Sequence, residues 1–262
     1  MPRANRYFMS GYTWHITHRC HKQEFLLKFA RDRMKWISWL YEAKKRFGLV
    51  VLNYTVTSNH IHLLVKDTGG SVISESLQLI AGRVAQQYNH RKKRKGAFWE
   101  DRYHATAVDS GRHLLRCLVY VDMNMVRAGV VKHPSLWAAS GYQEIHKPRE
   151  RYGIIDHECL SQALGFESIS AFQKQHCQWI DEALADNALE REEKWSQSIA
   201  VGSEAFVNQV SDSLCPKIGK RQTSADGDSF VVREPSISYN AHFDGKMVAL
   251  SPSNALLWKL SI

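Results

Sequence analysis

The strongest constraint in this chain is a hairpin set between two helical stretches. Leu49–Thr57 is an apolar, β-branched run, Ser58-Asn59 supplies turn residues, and His60–Lys66 alternates apolar with polar side chains. Two such runs about a short turn read as paired antiparallel strands. Before them, residues 25–47 bring Phe25, Phe29, Trp36 and Leu40 near helical spacing and end at Gly48, a natural stop. After them, Gly69-Gly70-Ser71 breaks the chain, Ser71 is placed to cap a helix, and Leu77, Ile80, Ala81, Val84 and Tyr88 form its apolar stripe. Residues 12–19 alternate as a half-buried strand with Tyr12, Trp14 and Ile16 on one face, and Phe98–Val108 reads as a fourth strand. The order β-α-β-β-α-β predicts an α+β fold: a ferredoxin-like domain with an antiparallel sheet.

A further helix is expected from a cap at Asp109 or Ser110 to Gly129, with Leu114, Leu118, Val121 and Met125 buried. Beyond it the signals weaken. Helices are expected around 157–164 and 169–197, the second with Phe172, His176, Trp179 and Ala183 on one face, and a short one from Ser203 to Leu214. Gly219–Ser229 reads as a linker, and Phe230–Val232 as a short strand. The expected organisation is a first domain over 1–135, a mainly helical extension over 136–215 and a tail over 216–262.

Charge divides unevenly along the chain. Residues 1–132 hold 23 Lys and Arg against 9 Asp and Glu, a net of +14; the other 130 hold 12 against 17, a net of −5, which together make the overall +9. A basic first half points to a polyanion, and nucleic acid leads because Arg91-Lys92-Lys93-Arg94-Lys95 lies beside Phe98, Trp99 and Tyr103. Phosphate neutralisation combined with base stacking uses that mixture. Arg19, Arg83, Arg102, Arg116 and Arg127 are further candidates for DNA contact, with Trp99 for stacking. No apolar run approaches the roughly 18–20 residues of a spanning helix, and the first residues carry no secretory pattern. Cysteines 20, 117, 159, 177 and 215 are odd in number and widely spaced, which argues against a disulfide framework. The expected location is the cytoplasm, with the nucleoid, and no membrane partner.

Two constellations carry chemistry. His60-Ile61-His62 puts two imidazoles on one strand face, where they can grip a single divalent ion or simply decorate a sheet. His113, Arg116, Tyr120, Asn124 and Arg127 lie along one face of the helix over 110–128. Cations beside a tyrosine favour its phenolate and also hold a phosphate. Together they suggest a Tyr120 hydroxyl attacking a phosphodiester while a metal on His60 and His62 polarises it. Asn124, one turn on, offers a carbonyl oxygen as third ligand, and oxygen in the set suits Mg²⁺ or Mn²⁺. The sequence has no GxGxxG, GxxxxGK, HExxH or GxSxG, so nucleotide-fold, zincin and hydrolase-elbow readings lack their usual marks.

At three stretches the chain resembles a known family. Ser58-Asn-His-Ile-His-Leu-Leu-Val65, Gly96-Ala-Phe-Trp-Glu-Asp-Arg-Tyr103 and Tyr120-Val-Asp-Met-Asn-Met-Val-Arg-Ala-Gly129 are similar, in order and spacing, to HUH single-strand nucleases, most closely the REP-associated tyrosine transposases. The likeness spans about residues 5–135. It implies a domain that binds folded single-stranded DNA, often hairpins, and cleaves beside them. Tyr120 would become linked to the 5′-phosphate, with His60, His62 and Asn124 as metal ligands. Thr57-Ser58 stands where many members have Met-Pro, and Met125 where Pro commonly follows the Asn. A non-catalytic hairpin-binding protein of the same fold is the alternative, and a water-using metal phosphohydrolase a third reading. Monomer and homodimer both stay open.

Overall fold

A computed structural model describes residues 8–186, 190–218 and 222–233. Strand β1 (Thr13–Arg19) leads through a short 3-10 turn to helix α1 (Ala30–Phe47), and hairpin β2 (Val50–Val56) and β3 (His60–Lys66) to α2 (Val72–Lys92). Then come β4 (His104–Val108), α3 (Arg112–Asp122) and α4 (Asn124–Arg127). These four strands pair antiparallel in the order β2-β3-β1-β4, the ferredoxin-like arrangement expected from the hydrophobic periods.

Several boundaries differ from the periodicity. Helix α1 starts at Ala30, and Phe25 and Phe29 are exposed; the segment before it is held by backbone bonds from Leu27 N to Ser58 O and from His21 N to Phe98 O. Ser71 does not cap α2 through its side chain, because it adopts a left-handed conformation after Gly70. Phe98 and Trp99 lie in the loop before β4. The helix expected over 110–128 divides at Met123 (ψ −1°) into α3 and α4, with backbone bonds from Met123 N to Val119 O and from Arg127 N to Met123 O carrying the chain through. Gly129, at φ 68°, ends it in the left-handed conformation that glycine takes without penalty.

The extension packs as helices and also lengthens the sheet. Helices α5 (Tyr142–His146), α6 (His157–Ala163), α7 (Ile169–Ala185) and α8 (Lys194–Gln197) lead to β5 (Ser198–Gly202), followed by α9 (Glu204–Ile218), β6 (Gln222–Asp226) and β7 (Ser229–Arg233). Strand β5 adds parallel to β4, through Ala107↔Ala200 and Val108↔Val201, and β7 and β6 follow antiparallel. Among the described residues the sheet therefore has seven strands, β2-β3-β1-β4-β5-β7-β6. The stretch expected as a linker over Gly219–Ser229 is largely β6 and its turn, where Gly227 takes φ 63°; residues 219–221 lie outside the described residues. The expected helix over 169–197 stops at Ala185, and much of the expected tail, 234–262, also lies outside them.

One face of β1–β3 carries the candidate site. Thr17 pairs with His62 and Arg19 with His60, so alternation puts Thr17, Arg19, His60 and His62 on one side. Helix α3 crosses that side, anchored where the Thr55 hydroxyl donates to Val121 O at 3.1 Å and the Asn53 amide to Asp122 Oδ1 at 2.9 Å.

Candidate active site

The β2–β3 turn builds the first imidazole. The Thr57 hydroxyl accepts from the backbone N–H groups of Asn59 and His60 and donates to His60 O at 2.8 Å. His60 Nδ1 lies 2.7 Å from Asn59 Oδ1, which can only accept, so Nδ1 carries the proton and Nε2 keeps its lone pair. His62, in the middle of β3, is buried; its ring centroid is 5.0 Å from that of His60 and its Nδ1 is 2.9 Å from His15 Nε2. Asn124 Nδ2 donates to His62 Nε2 at 2.9 Å. The structure thus joins Asn124 to His62 through the amide nitrogen, and a half-turn of the amide brings the oxygen there instead.

Tyr120 reaches this group from α3. Its ring centroid lies 5.8 Å from that of His62 and 6.1 Å from that of buried Trp195 on α8. The Arg127 guanidinium sits over the ring, 4.0 Å from its centroid, while its Nη2 donates to Tyr120 O at 2.6 Å. Tyr120, His60, His62, Asn124, Arg19 and Arg127 open on one cavity of about 310 Å³, together with Arg191 and Ser196 of the extension.

Electrostatics keep the imidazoles neutral. Burial, followed by the Arg19, Arg191 and Arg127 cations, brings His60 down to about 4. Burial and the neighbouring His60 and His15 rings hold His62 well below its ordinary value. Neutral nitrogens are what a metal needs. For Tyr120 the expected lowering by neighbouring cations does not prevail: burial raises its pKa, and Arg127 and Arg191 only oppose that rise.

The polar stripe expected on one helix is divided. Arg116 ion-pairs with Asp228, away from Tyr120, and His113 is buried beside Ser229. Of the remaining candidates for DNA contact, Arg91 pairs with buried Asp32 at 2.5 Å and Arg94 with Glu24 at 3.4 Å, so these two already serve the fold. Lys92 lies over Phe29 and Arg83 over Trp39; Lys93, Lys95 and Arg102 are exposed. Trp99 stacks on His18 at 4.1 Å and donates to Ala81 O, facing an apolar cavity remote from the stripe on α3. Of the DNA candidates, Arg19 and Arg127 are the ones on the Tyr120 cavity. His15, Thr57, Asn59, Arg191 and Ser196 were missed by sequence reasoning. His15 had a signal, since β1 alternation puts it on the face of Thr17 and Arg19; Arg191 and Ser196 had none.

Among the described residues no group of three or more His, Cys, Asp or Glu is placed to hold a metal ion. The donor set here is smaller: two imidazole nitrogens with free or amide-facing lone pairs, and one side-chain amide. That set fits a hard divalent cation that keeps water or phosphate oxygens in its other positions.

With this geometry in view, residues 8–124 match the family model described as Transposase IS200 like. This segment is similar to IS200-like transposases. No curated protein sequence matches the chain. A solved structure described as a REP-associated tyrosine transposase bound to a REP hairpin is similar at 19% identity and a TM-score of 0.47, covering 60% of this chain and 94% of that one. A putative transposase from Deinococcus radiodurans R1 is similar at 14% identity and a TM-score of 0.33, covering 50% and 98%. The matched IS200-like segment ends at Asn124, so it includes His60, His62 and Tyr120 and leaves out Arg127 and the whole extension. Among the described residues no helix is long and apolar enough to cross a membrane.

Proposed function

We propose that this chain cleaves and rejoins single-stranded DNA beside hairpins, with Tyr120 as nucleophile and His60, His62 and Asn124 holding Mg²⁺ or Mn²⁺. The observation that carries the reading is the single cavity onto which Tyr120, both imidazoles and Arg19, Arg127 and Arg191 open. When bound, the cation supplies polarisation of the phosphate and orientation of the leaving 3′-oxygen.

The chain's own residues supply the rest. Arg19, Arg127 and Arg191 neutralise a phosphodiester that enters the cavity. Burial keeps the phenol protonated at rest, and Arg127 over the ring, with Arg191, stabilises the phenolate as it forms. The phenol oxygen attacks phosphorus in line; the new O–P bond forms as the bond to the 3′-oxygen breaks. The proton that the phenol loses is matched by one that the 3′-oxygen gains. The products are a 5′-phosphotyrosine and a free 3′-OH, and attack by another strand's 3′-OH reverses the exchange and joins DNA without outside energy.

Incubating the full chain with labelled single-stranded hairpin DNA and Mg²⁺ or Mn²⁺ tests this. A denaturant-stable protein–DNA adduct, absent in Tyr120→Phe, is the expected result. Cleavage without an adduct would mean water chemistry, and binding without cleavage a hairpin-binding module; either outcome refutes the reading.

A further inference from the structure

We propose that His15 is a positioning residue which, held by the backbone carbonyl of Trp195, sets the proton of His62 on Nδ1 and so leaves Nε2 free to ligate. The inference rests on His62 being a metal ligand, as proposed above. It gives the C-terminal extension a part in the site.

The assignment follows from which groups can donate. The Trp195 carbonyl can only accept, so His15 Nδ1, 2.8 Å away, carries a proton and donates. A neutral imidazole has one N–H, so His15 Nε2 is an acceptor. The atom facing it, at 2.9 Å, is His62 Nδ1, which must then be the donor. His62 Nε2 is left with its lone pair, on the side where Asn124 stands. The two ring planes are parallel within 2° and their centroids lie 5.1 Å apart, the facing nitrogens being the atoms in hydrogen-bond contact. His15 is fully buried, so water does not substitute for it.

The far end of the relay is fixed too. Thr106 donates to Trp195 O at 3.3 Å and to Ser198 O at 2.7 Å, tying α8 and the start of β5 to β4. Trp195 is itself buried, next to Tyr120. Its carbonyl is therefore part of a packed wall. The two imidazoles are thus governed from different places: His60 by its own turn through Asn59, and His62 by a residue 180 positions from His15 in the chain. Outer partners of this kind orient ligating histidines and fix their tautomer.

The test uses the full chain labelled with ¹⁵N-histidine, with His62 assigned by the signal lost in His62→Ala. Long-range proton–nitrogen NMR should show His62 protonated on Nδ1, and the proton should move to Nε2 in His15→Phe. Mn²⁺ binding, followed by electron paramagnetic resonance, should weaken about tenfold or more in His15→Phe. His15→Gln, whose amide can both donate and accept, should recover most of it. A wild-type His62 protonated on Nε2 overturns the inference. So does a folded His15→Phe that binds Mn²⁺ normally while His62→Ala does not. If His62→Ala itself binds Mn²⁺ normally, the ligand reading fails instead, and this inference falls with it. Should His15→Phe not fold, the wild-type spectrum and His15→Gln decide.

Discussion

Replacing His176 with leucine tests how the tyrosine helix is held. Asp122 lies two residues past Tyr120, and its carboxyl is buried: Oδ1 accepts from Asn53 of β2 and Oδ2 from His176 Nε2 of α7, each at 2.9 Å. The Asp122 and His176 side chains both have 0% exposure, so no water replaces a lost partner. Leucine occupies similar space and cannot donate, which leaves Oδ2 buried and unpaired. Stranding a buried carboxyl oxygen costs about 3 kcal/mol, toward the low end of what breaking a buried pair costs. For a chain of this size each kcal/mol lowers Tm by about 2–4 °C, so a fall of about 6–12 °C is expected. Circular dichroism melts of wild type, His176→Leu, Asp122→Leu and the double variant measure it. Removing both partners costs less than the sum of the singles, by about 1 kcal/mol or more, because the stranded group is then gone as well. A fall below about 2 °C, or strictly additive singles, would refute the reasoning.

Two other outcomes follow from the same packing. Deleting residues 150–262 strips β5 from β4, Trp195 from Tyr120 and His176 from Asp122, so the remainder should be insoluble or melt without cooperativity; a sharp, reversible melt would show that the first domain completes its own core. His18 gives a pH dependence. Burial against Trp99 brings it down to about 4 from 6.5, so between those values the unfolded chain binds more protons than the folded one. Stability from this group is present above pH 6.5 and is lost as pH falls toward 4. Urea midpoints at pH 7 and pH 5 should converge in His18→Phe relative to wild type, and an unchanged gap would contradict the assignment.

Local periods in the sequence determined the first half of this molecule. Alternation along β3 put His60 and His62 on one face, and helical spacing placed α2 and the helix that bears Tyr120. Such patterns survive in sequence because each residue's neighbours along the element decide which side it faces. The tertiary structure decided the rest. Arg116 and Arg127 read alike on one helical stripe, yet one turns to Asp228 and the other lies over the Tyr120 ring. Strand β5 is five residues long and finds β4 across the helices between them, and Trp195 meets His15 from the far end of the chain. No period links positions so far apart. Only the closing of the fold, with its demand that every buried donor find an acceptor, brings them together.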